Sequence, residues 1–330
     1  MNRYVIIALS VVAFIVVVVF VLSRRDIPEQ ITYGASFSKL HAEELGLNWA
    51  DAYRAMLNDL QVKHLRLTAH WPMIEPNRGE YNFDEIDYQM TEARKAGADV
   101  ILAVGLRTPN WPECHHPAWS LNMNKEEKEK ALLEYIELVV NKYKNAPNLK
   151  YWQVENEAFL KFATQYCDKA DEELLKREID LVKSLDPNHP ILMTDSGEFG
   201  KWYKPWQHGD VFGTSQYLYV WYNPFGAVRY PIGPWFFKLK RNVMEFLYGE
   251  KKALLIELGA EPWLDKPIKD ASDEEQFARM SIAKFKEVVA FGTRTSFDEQ
   301  YLWGVEWWYY QKQKGNSEFW DYAKEIFSTK

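Results

Sequence analysis

Residues Tyr151–Phe159 read YWQVENEAF. The first four, Tyr-Trp-Gln-Val, have the aromatic and β-branched character of a buried strand. The next three are Glu155, Asn156 and Glu157. Burying a carboxylate costs several kcal/mol unless it is paired or its pKa moves. A strand that closes on two carboxylates and an amide therefore points to a place where perturbed acids are useful.

Working outward, the same pattern repeats: a short apolar run, then a stretch of helical period, as in successive βα units. The expected strands are Ile31–Phe37, Val62–Thr68, Asp99–Gly105, Leu149–Glu155, Ile191–Asp195, Val211–Tyr217, Ala253–Leu258 and Ser296–Gly304. Helix starts are marked by capping-box spacing at Asn82/Glu85, Asn124/Glu127 and Ser272/Glu275. The segment Gly197–His208, rich in Trp, Gly and Pro, reads mostly as loop. Eight strands alternating with helices fit an α/β chain folded as a (β/α)8 TIM barrel. A doubly wound sheet would carry a glycine-rich phosphate loop after an early strand, and the first strand here ends GASFSKL.

Composition narrows the function. The chain has 330 residues and a net charge of −7, which disfavours a nucleic-acid partner, since such proteins need a basic face. The 14 Trp are first of all core material, but flat amphipathic rings also stack on sugars. Tyr4–Leu22 is an uncharged apolar run, long enough to span a bilayer and followed by Ser23-Arg24-Arg25. We read residues 1–22 as an uncleaved membrane signal anchor that contacts the lipid bilayer through 4–22. Residues 23–30 are a linker and 31–330 one catalytic domain. Arginines flank both ends of the run, so charge does not fix its orientation. Cys114-His115-His116 has no companion cluster elsewhere, so neither metal nor cofactor is expected, and the domain is expected to be monomeric.

In such a barrel the active site lies at the C-terminal ends of the strands. The second strand carries Arg66 and leads to His70-Trp71. Arg107, Trp111 and Glu113 follow the third. The fourth ends in Glu155-Asn156-Glu157, and the sixth leads to Tyr217 and Tyr219. The seventh holds Glu257 with Glu261 beyond, and the eighth carries Trp303, Glu306, Trp307 and Trp308. Two carboxylates on opposite walls suit glycoside hydrolysis, in which one is protonated and the other ionised.

These residues carry a resemblance to the glycoside hydrolases of clan A, the cellulase-like family five and relatives such as families ten, thirty-nine and forty-two. In that clan an Asn-Glu pair closes the fourth strand, matched here by Asn156-Glu157, and a Glu closes the seventh, matched by Glu257 in LLIELGAEPW. The run RLTAHWPMIEPNRGEYNFDEID resembles the clan's second βα unit. The resemblance implies Glu157 as acid/base, Glu257 as nucleophile, Arg66 and Tyr217 as supports of Glu257, and Trp303 as the floor of the sugar site. Asn156, His70, Trp111 and Trp307 complete the expected substrate-binding set. Glu155 replaces the Trp-like residue that often precedes Asn-Glu. It reads as a partner of an Arg or Lys, or as an acceptor for a sugar hydroxyl; Glu306 carries the same two readings. The third-strand loop LRTPNWPE and the sixth-strand Ser-Gln-Tyr depart from the family-five pattern, which leaves the sugar open. Cys114 and Cys167 fall in loops after neighbouring strands, and a disulfide between them is expected, which requires an oxidising compartment. The resulting expectation is a retaining β-glycoside hydrolase outside the cytoplasm. A transglycosylase and a non-catalytic glycan-binding barrel are the alternatives.

Overall fold

The computed structural model describes residues 3–328 apart from 6, 8–9, 11–18, 22, 112, 162–166, 168–170 and 223–224. Most of the apolar run 4–22 thus lies outside the described residues. Among the described residues no helix is long and apolar enough to cross a membrane.

The strands are β1 (Thr32–Ser36), β2 (His64–Thr68), β3 (Asp99–Val104), β4 (Leu149–Val154), β5 (Ile191–Asp195), β6 (Val211–Gln216), β7 (Tyr219–Tyr222), β8 (Gly226–Arg229), β9 (Ala253–Gly259) and β10 (Glu299–Trp303). Eight of them close a parallel barrel in the order β1-β10-β9-β6-β5-β4-β3-β2. These are the eight strands the sequence marks, with ends shifted by a residue or a few. The antiparallel hairpin β7–β8 stands outside the barrel and was not expected. Parallel strands are covered on both faces, which is why ALLIELG in β9 is buried at every position.

The helical layer follows its caps. Asn124/Glu127 and Ser272/Glu275 form complete capping boxes. Asn82/Glu85 does not: the helix Asp84–Lys95 is capped by Phe83 without a side-chain bond, and Glu85 turns to Lys39. The segment expected as loop contains the helix Tyr203–His208, whose first turn leans on Trp202, fully buried against Phe212.

Inside the barrel, side chains alternate in layers. Asp99, His64 and Glu299 lie at the lower end, with Lys150 and Lys252 paired to them. Above them is an apolar plug of Ile101, Leu192, Val211, Leu254, Ile256 and Tyr301. Arg66, Gln153, Thr194, Ser215 and Glu257 lie above the plug, joined to one another and to the residues that close β4. The plug separates a structural floor from a polar mouth.

Two local departures from strand geometry shape that mouth. Leu254 and Ile256 face inward, so simple alternation would send Glu257 out toward the helices. The β6–β9 register shifts between the pairs Thr214↔Leu255 and Ser215↔Glu257. This bulge lets Glu257 face inward as well. At the end of β4, Glu155 and Glu157 take positive φ of 59° and 46°. Such backbone is rare for non-glycine residues and clusters at functional sites. Here it directs Asn156 into the barrel and Glu155 away from it.

Candidate active site

Arg66 on β2 is buried and organises the mouth. Its Nη1 donates to Glu257 Oε1, its Nε to Gln153 Oε1 at 2.8 Å and its Nη2 to Asn156 Oδ1 at 2.8 Å. The planar guanidinium reaches three groups at once, which a lysine cannot do. Tyr217 donates its hydroxyl to the other oxygen of Glu257 at 2.9 Å. The tyrosine ring lies where a Cβ on Gly259 would come within 2.3 Å of it, so a glycine must end β9. Glu257 is therefore held by a cation on one oxygen and a hydroxyl on the other.

Asn156 Oδ1 accepts from Arg66, from Gln153 Nε2 at 3.2 Å and from Thr194 Oγ1 at 3.1 Å. Three donors on one oxygen fix which way the amide points. Its Nδ2 is left as the group free to donate. Thr194 also accepts from the backbone amide of Glu157 at 2.9 Å, so one β5 hydroxyl braces both residues of the Asn-Glu pair.

Glu157 is buried and accepts from Ser215 Oγ at 2.6 Å. Burial, then the negative charges of Glu113 and Glu257, hold its carboxyl well above the usual range. Glu113 is the neighbour that sequence reasoning noted but did not place. It pairs with Arg107 Nε at 2.7 Å, and burial outweighs that cation and raises its pKa too. The two candidates thus differ in their surroundings: Glu257 meets a cation and a hydroxyl, Glu157 a hydroxyl and two like charges.

Glu155 does neither of the things expected of it. Its two oxygens accept from the successive backbone amides of Leu106 and Arg107, each at 2.7 Å. It fastens the end of β3 to the end of β4. Gly105, at φ 123°, gives it room: a Cβ there would lie 2.3 Å from Glu155 Oε1. Burial raises its pKa to about 7 despite those amide bonds, and burial holds Glu178, on the helix behind it, well above the usual range. Glu306 accepts from the amide of Ser38 at 2.6 Å, and burial lifts it to about 7 although His41 opposes this.

Trp303 closes β10 and donates to Glu261 Oε1 at 2.7 Å, while the other Glu261 oxygen meets His41 Nε2 at 2.8 Å. Burial alone would lower His41, but Glu261, Glu44 and Glu306 outweigh it and hold the imidazole well above its ordinary value. Trp111, half exposed, sits in the loop after β3, where the bridge Arg107↔Cys114 folds the chain back. Cys114 is bonded to Cys167, with Cα atoms 5.3 Å apart, which ties the loops after β3 and β4 together. Trp263, in the loop after β9, is 40% exposed and meets Tyr217 edge-on at 4.8 Å. Sequence reasoning missed it, although its place just past the strand end was a usable signal.

Two expected sugar contacts are corrected. Trp307 is fully buried in the helix Val305–Gln313, against Phe319, with its indole N–H on Gln276. Its neighbour Trp308 stacks on Phe285. Both are core, because the chain turns helical directly after Gly304 and carries them behind the strand. His70 is buried beneath the β3 loop, donates from Nε2 to Pro109 O at 3.1 Å, and is pushed down to about 3 by burial and by His115. Among the described residues no cluster of His, Cys, Asp and Glu could hold a metal ion.

The beta-galactosidase family, glycoside hydrolase family 42, matches residues 45–131. The match covers β2, β3 and the helices around them. No curated protein matches the chain. The fold is similar to a GH5_18 protein of Bifidobacterium longum subsp. longum, with a TM-score of 0.60 at 15% identity over 83% of this chain and 70% of that one. It is also similar to xylanase 10B of Thermotoga maritima, with a TM-score of 0.54 at 16% identity over 83% of each chain. The cold-adapted beta-galactosidase of Rahnella sp. R3 gives a TM-score of 0.58 at 13% identity, over 93% of this chain but 56% of its own length. A further B. longum GH5_18 structure of this fold contains Manβ1-4GlcNAc. The family model matches residues 45–131, and the solved structures share the barrel fold; the chain is thus similar to glycosidases of clan A.

Proposed function

We propose that the chain is a retaining β-glycosidase that acts on β-linked oligo- or polysaccharide by double displacement. The observation that carries this reading is the unequal treatment of the two carboxylates. Glu257 is held by Arg66 and Tyr217, which aim it into the mouth. Glu157 is buried among like charges, which keeps it protonated and ready to donate. Glu257 attacks the anomeric carbon as Glu157 protonates the leaving oxygen. Glu157, now a carboxylate, then takes a proton from the water that releases the sugar from Glu257. The free Nδ2 of Asn156 is suited to the 2-hydroxyl, where a hydrogen bond strengthens in the transition state. Trp303 forms the floor of the sugar site, and Trp111 and Trp263, partly exposed in the loops after β3 and β9, are the further rings suited to stack on sugar.

Binding of Manβ1-4GlcNAc by a GH5_18 relative supports a β-linked saccharide as the substrate class. The Cys114–Cys167 disulfide supports an oxidising compartment, and the apolar run 4–22 supports tethering there by a membrane anchor.

The test is turnover of aryl β-glycosides. Glu157→Ala and Glu257→Ala should each lower turnover by at least about 10²–10⁴-fold. Azide should restore part of it for Glu157→Ala with a β-glycosyl azide as product, the signature of a trapped glycosyl-enzyme with no general base. Near-wild-type rates in both variants would refute the assignment.

A further inference from the structure

At the end of the helix Pro234–Tyr248, three consecutive side chains are exposed: Phe246 at 84%, Leu247 at 56% and Tyr248 at 42%. Exposed apolar residues in succession are unusual on a soluble surface unless they serve an interaction. Their place in the fold is definite. The helix descends from the mouth to the start of β9, and the amide of Phe212 at the start of β6 bonds Lys252 O at 3.0 Å just beyond it. The three residues therefore sit at the lower end of the barrel, opposite the carboxylates.

The chain that leaves the apolar run 4–22 is fastened to the same helix. Arg25 Nη1 donates to Asn242 Oδ1 at 2.8 Å and to Glu245 Oε2 at 2.5 Å. Lys238 Nζ donates to Arg25 O at 2.9 Å, and Asn242 Nδ2 to Arg24 O at 3.1 Å. Ser296, in the turn that leads into the lower end of β10, adds a longer contact to Arg25 O at 3.4 Å. Asn242 and Phe246 are one helical turn apart on one face. Arg25 and Arg241 also neutralise Glu245, the acid nearest this face on the helix. A linker tied down at five points cannot hold the domain at a distance from whatever surface the run 4–22 enters.

We propose that the lower end of the barrel, led by Phe246, Leu247 and Tyr248, rests on the lipid bilayer, so that the catalytic mouth faces away from it. This rests on the reading of 4–22 as a membrane anchor. Aromatic and aliphatic side chains beside a helix entry are the residue types that settle at the headgroup–acyl boundary. A mouth turned outward suits a substrate approaching from the aqueous side rather than one carried in the lipid.

The test uses the full chain in phosphatidylcholine vesicles containing spin-labelled lipid. A single cysteine is introduced as Phe246→Cys or, in a second variant, Leu247→Cys. It carries an environment-sensitive fluorophore, the native cysteines being bonded to each other. Leu121→Cys, exposed in the loop after β3 on the mouth side, is the reference. The labels at 246 and 247 should be quenched at least about twofold more than the label at 121, as for groups buried ~5–10 Å into the interface. Equal quenching at the three positions, with the protein retained on the vesicles through a carbonate wash, would overturn the docked face and leave the anchor standing. Release by carbonate would overturn the anchor and the docked face with it.

Discussion

At the lower end of the barrel, Glu299 lies 2.7 Å from Lys150 and 3.5 Å from Lys252, and Asp99 lies 2.9 Å from His64. Each acid there lies against a basic side chain. At the upper end Glu113, Glu155, Glu157, Glu257, Glu261 and Glu306 share Arg66, Arg107 and His41. Carboxylates outnumber cations there, and desolvation raises Glu113, Glu155, Glu157 and Glu306. The same residue type thus does structural work where each acid has a basic partner. It holds protons where it is crowded and dry. Only the second arrangement gives a carboxyl that can donate near neutral pH.

The sharpest way to break the contrast is at Arg66. Arg66→Lys keeps a charge but cannot reach Glu257, Gln153 and Asn156 together. Turnover should fall by about 10²-fold, the cost of misplacing reacting groups by about an ångström. Steady-state kinetics on the folded variant would check this, with kcat rather than KM bearing the loss. A variant with full kcat would mean that the three contacts do not orient Glu257.

Glu113 offers a finer probe. Glu157 must be protonated to act as the acid, so activity declines as pH rises through its pKa. Glu113→Gln removes a negative charge that raises that pKa. The basic limb of the kcat/KM profile should therefore move to lower pH, with the acidic limb less affected. An unchanged basic limb would separate Glu113 from the acid/base.

The lower end should behave differently. Lys150→Met leaves Glu299 with only part of its pairing, and stability should drop by about 1–3 kcal/mol. The pH profile of turnover should stay where it is, because the apolar plug stands between. Thermal melts alongside the pH profile would show whether the two ends are as separate as the layers suggest.

Most of the architecture was legible in the sequence. Eight apolar runs with helical stretches between them are a strong periodic signal, and each became a barrel strand. Arg66, Asn156, Tyr217 and Glu257 were legible as a group because each falls at a strand end, and they meet in one network. Trp307 was misread for the same reason: strand-end position was taken as exposure, whereas the turn to helix at Gly304 carries the ring into the core. The hairpin β7–β8 escaped notice because two short strands packed outside the barrel leave little periodicity.

The sequence by itself determined the barrel and the residue types at its mouth, because strand and helix periods and residue order are local properties. Only the tertiary structure decided which carboxylates face the substrate side. Strict alternation would turn Glu257 toward the helices and leave Glu155 pointing inward. A bulge against β6 brings Glu257 in, and the left-handed backbone at Glu155 sends that side chain to the amides of Leu106 and Arg107. Both are set by pairing with strands distant in the chain, so no local pattern of residues encodes them.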